Sequence, residues 1–168
     1  MAQIKRATLT DFESALCLLE RFFDEEGFGT PREQIRGQLD HLLRDSESGV
    51  FLVWEQGRAI GVATVTVTEG IELGLSAELE DLYVLPEARG GGAGRALISA
   101  VAGWCRAQGC SLVAVVVTPE GQAAHDLIGY YRAQGFEETG RTLLFHHLGE
   151  SKDWKVHKVC AEGESEKE

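Results

Sequence analysis

The sequence predicts an α/β fold of the mixed α+β kind, a mostly antiparallel sheet of about seven strands with helices on both faces. Three observations carry this. Short segments rich in Val and Thr alternate with amphipathic segments of helical period, in the order β α α β β β α β α β β. A run of strands joined as hairpins is followed by a β-α-β segment, which mixes antiparallel and parallel pairing in one sheet. The stretch 111–117 is almost continuously apolar, as expected of a strand covered on both faces.

Residues 4–8 read as a short opening strand. Thr10-Asp11-Phe12-Glu13 is a capping-box pattern, Thr followed three residues later by Glu, and a helix should follow it. Phe12, Ala15, Leu16, Leu19, Phe22 and Phe23 then fall on one face. Asp24-Glu25-Glu26-Gly27-Phe28-Gly29 ends that helix. Thr30-Pro31-Arg32-Glu33 opens a second, with Pro at the first helical position and Ile35, Leu39, Leu42 and Leu43 along its inner face. Residues 50–55 and 60–68 are strands around the turn Gln56-Gly57-Arg58. Residues 71–76 read as a Gly-interrupted connection and 77–84 as a further strand. A helix over 92–107 is apolar at Leu97, Ile98, Val101, Trp104 and Cys105. The strand 111–117 leads to a helix over 122–134, and strands 136–139 and 142–148 close the fold as a hairpin around Gly140-Arg141.

No internal repeat is visible, and 168 residues suit one domain, expected over 1–148. The polar stretch 149–168 ends Glu-Gly-Glu-Ser-Glu-Lys-Glu and reads as a flexible tail, with Trp154, Val156 and Val159 able to dock locally. The formal net charge of −11 argues against a nucleic-acid partner, since such binding rests on Lys and Arg neutralising phosphates. It suits a cationic substrate drawn to an acidic surface, and equally it suits plain solubility. No apolar run is long enough to cross a membrane, and no signal-like region follows Met1-Ala2-Gln3-Ile4-Lys5-Arg6, so a soluble cytoplasmic protein is expected. Cys17, Cys105, Cys110 and Cys160 lack the close spacing of a zinc or dithiol motif, and reduced thiols are expected. Cys17 and Cys105 fall on apolar helix stripes, which points to packing rather than catalysis.

The feature richest in chemistry is Arg89-Gly90-Gly91-Gly92-Ala93-Gly94-Arg95, placed after a strand and opening a helix. Consecutive glycines permit backbone angles closed to other residues. Successive N–H groups can then converge on one anion, aided by the free N–H groups and positive dipole end of the helix. Arg89 and Arg95 add positive charge in an otherwise acidic chain. Taken alone, the loop reads equally as a tight strand-to-helix turn. It lacks the Gly-Lys-Ser/Thr ending of a nucleoside-triphosphate loop, and its place in the chain does not suit a dinucleotide fold.

Arg89, Gly92 and Gly94 match the pattern Arg/Gln-x-x-Gly-x-Gly/Ala, the lead-in is Leu82-Tyr83-Val84-Leu85-Pro86-Glu87, and downstream Tyr131-Arg132-Ala133-Gln134-Gly135-Phe136 matches Tyr-x-x-x-Gly-Phe. In these residues, and over 4–148, the chain resembles the GNAT superfamily of acyl-CoA-dependent N-acetyltransferases. The resemblance implies a GNAT-like sheet splayed at a central parallel pair, here the strands 77–84 and 111–117. It implies acetyl-CoA as co-substrate and no metal. Pantetheine would pair with the backbone of Leu82 and Val84, flanking Tyr83. The pyrophosphate would rest on amides of Gly90, Gly91, Gly92, Ala93, Gly94 and Arg95. A homodimer, paired through late strands or adjoining helices, is a further implication.

Acetyl transfer to an amine needs a neutral nucleophile, oxyanion stabilisation and a proton for the leaving thiolate. The resemblance makes Tyr131 the general acid, although Ala124, Leu127, Ile128 and Tyr131 also form a helical stripe that suits a core residue. Tyr130 is the fallback, otherwise packing or touching the cofactor. Glu80 and Asp81 are the base candidates, Glu80 preferred, with Asp81 holding the substrate's charge; an acidic strand end in solvent explains them as simply. Alternation should send their side chains to opposite faces. Many family members carry Asn where this chain has Ala124, and His125 could replace that cofactor contact. His146 and His147 are consecutive on the expected last strand, one within possible reach of the acceptor. Acidic residues gather at Asp24, Glu25, Glu26, Glu69, Glu72, Glu78, Glu80 and Asp81. They suit a small cationic amine of aminoglycoside or polyamine type, with a protein or peptide amine, or acyl-CoA sensing without turnover, as the alternatives.

Overall fold

The computed structural model describes residues 2–146 and 148. Four strands run antiparallel in chain order: β1 (Gln3–Arg6), β2 (Gly49–Glu55), β3 (Arg58–Gly70) and β4 (Gly74–Val84). A fifth, β5 (Val113–Val115), lies parallel to β4 at the sheet edge. Two helices, α1 (Phe12–Glu26) and α2 (Arg32–Arg44), connect β1 to β2, and α3 (Ala93–Gln108) makes the crossover from β4 to β5. Two short helices follow, α4 (Pro119–His125) and α5 (Leu127–Arg132).

The core forms where β2 and β3 carry apolar side chains on both faces. Val50, Leu52 and Val62 are buried, and so are Phe51, Val53 and Val65, with helices packed over the sheet. The aromatic edge contact of Phe51 with Trp104 marks the face covered by α3. The contact of Phe22 with Tyr83 marks the face covered by α1. Leu97, Ile98, Val101 and Cys105 form the inner stripe of α3, and Ala15, Leu16, Leu18 and Leu19 that of α1. Both helices end on a glycine in the left-handed region, Gly27 and Gly109, which frees the last carbonyls to accept the closing N–H groups.

Several expectations need correction. The described residues contain five strands rather than seven. Residues 136–139 and 142–146 form no strand, because β5 offers only three paired residues, too short an edge to template another hairpin. Leu143, Leu144 and Phe145 are exposed as a result. The expected connection 71–76 is a tight hairpin instead, with β3 running to Gly70 and β4 starting at Gly74 in the left-handed region. The strand expected over 111–117 shortens to β5 and is half-exposed, since it lies at the open edge. The helix expected over 122–134 starts earlier and breaks. Thr118 caps it by accepting from the N–H of Gly121, with Pro119 at the first turn, and Asp126 (φ 47°) interrupts it. The Gln122 side chain holds the break by donating to Asp126 and accepting from the N–H of Ile128. The reciprocal cap lies upstream of the expected Thr10–Glu13, on the 3-10 turn Leu9–Asp11 that leads into α1, with the Thr8 N–H donating to Asp11 at 2.9 Å. Cys17 faces solvent, opposite the buried stripe of α1, whereas Cys105 is buried. His147 and the stretch 149–168, with Cys160, Trp154, Val156 and Val159, lie outside the described residues.

Candidate active site

Parallel pairing of β4 with β5 covers only Ala77–Leu79 against Val113–Val115, so beyond Leu79 the outer edge of β4 has no strand beside it. A cleft of about 1170 Å³ opens there. Its walls are β4 from Glu78 to Val84, the glycine loop, Val115 and Val116, α4 and α5, Leu143 and Phe145, and the end of α1 with Phe22 and Glu26, followed by Phe28.

The register of β3 on β4 explains how this edge is phased. Thr64 pairs with Asp81 but Val65 pairs with Leu79, so Glu80 is an extra residue on β4, a β-bulge. The bulge re-aims both backbone and side chains. Leu75 and Ala77 use their groups toward the segment before β5, whereas beyond the bulge Leu85 donates to Ile60 on the β3 side. Leu82 and Val84 therefore turn their N–H and C=O groups to the open edge. The carbonyl of Val84 accepts from Arg89 Nε there at 3.0 Å.

The bulge also overturns the expectation that Glu80 and Asp81 face opposite ways. Thr64 Oγ1 donates to Asp81, and Thr66 Oγ1 donates to Glu80 at 2.6 Å. Thr64 and Thr66 stand two apart on a strand that is regular at that point, so both carboxylates lie on one face of the sheet. Glu78, opposite Thr66, shares it. Burial raises the pKa of Asp81 above the ordinary carboxylate value, and the Glu80 charge adds to this against the hydrogen bond from Thr64. Burial, then Glu80, raises Glu78 as well. Glu80 itself is exposed.

The glycine loop leads into α3 with Gly90 (φ 81°) and Gly92 (φ 86°) in the left-handed region, and Gly92 is the N-cap. No side chain caps this helix start, which leaves the first-turn N–H groups open toward the cleft. A Cβ on Gly94 would lie 2.5 Å from the Tyr130 hydroxyl, so the loop and α5 meet closely. Arg95 is exposed and makes no ion pair among the described residues. Arg89 is engaged: its guanidinium meets Glu25 at 2.6 Å and lies over the Tyr83 ring at 5.6 Å. Glu25 also accepts from the Tyr83 hydroxyl at 3.0 Å. Despite the desolvation of partial burial, the hydrogen bonds from Arg89 and Tyr83 hold Glu25 below the ordinary carboxylate range. This network ties α1 to the loop. Sequence reading placed Glu25 only within an acidic run and gave no signal of its partner 64 residues away.

Tyr131 lines the cleft, is 8% exposed, and packs edge-on against Tyr130 and Phe136. Burial, with Tyr130 beside it, pushes its phenol up to about 12. His125, exposed at the end of α4, also lines the cleft, but Ala124 and His146 do not. Among the described residues no group of His, Cys, Asp and Glu could hold a metal ion, and no helix is long and apolar enough to cross a membrane. Of the residues singled out in the sequence, the structure brings Glu80, Asp81, Leu82, Tyr83, Val84, the loop from Arg89 to Arg95, His125, Tyr130 and Tyr131 around one cleft.

The chain is similar to known proteins in sequence and in fold. The profile of the Acetyltransferase (GNAT) family matches residues 12–136. An aminoglycoside N(6')-acetyltransferase type 1 of Stenotrophomonas maltophilia is 38% identical over 113 residues, 64% of this chain and 72% of the relative. Among solved structures, an integron cassette protein from the mobile metagenome of Cole Harbour Salt Marsh superposes with a TM-score of 0.77 at 28% identity, covering 88% of this chain and 91% of its own. The aminoglycoside acetyltransferase AAC(6')-Iy, in complex with a bisubstrate analog of CoA and acetylneamine, superposes with a TM-score of 0.75 at 25% identity, covering 88% and 98%. A splayed β4–β5 pair, a glycine loop on an uncapped helix start and this extent of likeness lead to one conclusion: the chain belongs to the Acetyltransferase (GNAT) family and is an acetyl-CoA-dependent N-acetyltransferase.

Proposed function

We propose that the chain acetylates a primary amine of an aminoglycoside-type polycation by direct transfer within the β4 cleft. The observation that carries this is the gathering of Glu78, Glu80 and Asp81 on one face, in the cleft that Tyr131 also lines. Three carboxylates attract a substrate with several ammonium groups and repel an acidic one. The names of the aminoglycoside-acetylating relatives support the same acceptor class.

The residues present fit acetyl-CoA. An open strand edge at Leu82 and Val84 suits an added pantetheine strand, and the Gly90–Arg95 amides with the exposed Arg95 suit a pyrophosphate. When bound, acetyl-CoA supplies the activated acetyl thioester. In this reading Asp81 and Glu80 hold the ammonium form of the acceptor and take up its proton, directly or through water. Tyr131 keeps its proton at working pH and delivers it to the departing sulfur. Tyr130 fixes the loop by standing against Gly94. His125 stands in the cleft and offers its imidazole to the cofactor.

A free-thiol assay across amines tests the assignment. Aminoglycosides should be acetylated in preference to monoamines and acidic amines. Because exposed carboxylates are screened by salt, kcat/KM for the polycation should fall several-fold as the ionic strength rises from about 0.05 to 0.5 M. A preferred neutral or acidic acceptor, or activity flat with salt, would overturn the acceptor class while leaving the enzyme class intact.

A further inference from the structure

We propose that Thr64 is a positioning residue for Asp81, resting on the acceptor-side role assigned to Asp81 above: its buried hydroxyl, paired with Asp81 across the β4 bulge, fixes that carboxylate on the acceptor face. Thr64 is 0% exposed and one of few polar residues in the core. A hydroxyl sealed between β2 and β4 needs a partner, because burying it unpaired costs more than its hydrogen bond returns. Its partner is the Asp81 carboxylate. A Val side chain has much the same shape without the hydroxyl and would suit the buried Val50 and Val62 on the same face, so shape alone gives no reason for Thr.

The bulge at Glu80 gives the pairing its direction. Without the extra residue, Glu80 would turn to the α3 face and Thr66 would lose its partner. With it, Thr64 and Thr66 act as two successive donors on one strand, each holding a carboxylate of the next. The two sites differ in depth: Thr66–Glu80 is exposed, while Thr64–Asp81 is part-buried, with Thr64 sealed in the core and Asp81 half-buried at the cleft wall. An O–H donor favours the ionised acceptor, so Thr64 works against the upward push that burial gives the Asp81 pKa. The other ionisable groups lining the cleft are Glu78, Glu80 and Tyr83 of β4, Glu26 of α1, Arg89 and Arg95 at the loop and start of α3, His125 of α4, and Tyr130 and Tyr131 of α5.

The test compares the wild-type chain with Thr64→Val and Thr64→Ser. Carbon-13 NMR of aspartate carboxyls, with Asp81→Asn to assign the signal, reads the Asp81 titration directly. Losing a charge-assisted hydrogen bond should move it up by about one to two pH units in Thr64→Val, and Thr64→Ser should restore it. At neutral pH kcat/KM for the amine should fall about tenfold in Thr64→Val, with CoA affinity unchanged. Identical Asp81 titrations in all three proteins would overturn the proposal, even with turnover intact. So would a loss confined to CoA affinity, or one that Thr64→Ser does not rescue. A wild-type chain that titrates as expected yet acetylates no amine would instead remove the acceptor-side role of Asp81.

Discussion

Gly92→Val should raise the Kd for CoA at least about a hundredfold while the fold stands. Gly92 caps α3 at φ 86°, a conformation in which a β-branched residue costs about 1–3 kcal/mol before any contact is counted. A Cβ there would meet nothing within 4 Å, so the damage comes from the backbone angle and not from a clash. The loop relieves that strain by rotating away from the left-handed region, and rotation disperses N–H groups that must converge on one anion. The helix itself is anchored further along, by Leu97, Ile98, Val101 and Cys105, and should keep its place. Calorimetric titration with CoA reads the affinity, and circular dichroism checks the fold. Gly92→Asn serves as the discriminator, because Asn tolerates this backbone region and should keep much more affinity. Normal CoA binding by Gly92→Val would refute the loop as the pyrophosphate site.

That prediction rests on a feature legible in the sequence, and the reason is physical. Gly90-Gly91-Gly92 encodes backbone angles directly, so its consequence is local. The stripes of α1 and α3 and the strands β2 to β4 were equally legible, because burial imposes a period on each. What failed were features set by pairing between distant segments. The bulge at Glu80 leaves no mark on composition, since it exists only as a mismatch between the registers of β3 and β4. Strict alternation therefore sent Glu80 and Asp81 to opposite faces, and the threonines that reunite them sit 14 and 17 residues away. The Glu25–Arg89 bridge is a tertiary contact of the same sort, turning toward α1 an arginine that reads in the sequence as free positive charge. The late strands were misread because their apolar alternation is genuine, but strand formation also needs an edge, and β5 supplies three residues of one. The start of α4 is legible in the sequence, since Thr118-Pro119 carries the same cap signal as Thr30-Pro31.

Tyr131→Phe should lower kcat by about 10²–10⁴-fold and leave CoA affinity almost unchanged. The substitution removes one oxygen from a ring whose packing against Tyr130 and Phe136 needs no hydroxyl. No protein group takes the Tyr131 hydroxyl as a hydrogen-bond partner among the described residues, so a purely structural tyrosine would lose nothing here. An acid, by contrast, loses the proton that the leaving sulfur requires. The pH profile adds an independent reading. Burial raises the phenol to about 12, so the acid is protonated, and competent, at every pH below that value. Asp81, also raised by burial, works as a base only once ionised, so it contributes above its own elevated pKa and is silenced below it. The wild-type rate should then climb with pH, as Asp81 and the acceptor amine lose their protons, and reach a plateau with no descending limb up to about pH 10. A descending limb near pH 8 would mean that the proton comes from a more acidic group. Unchanged turnover in Tyr131→Phe would remove the phenol from the chemistry, and the thiolate would then have to leave without an acid or draw its proton from water.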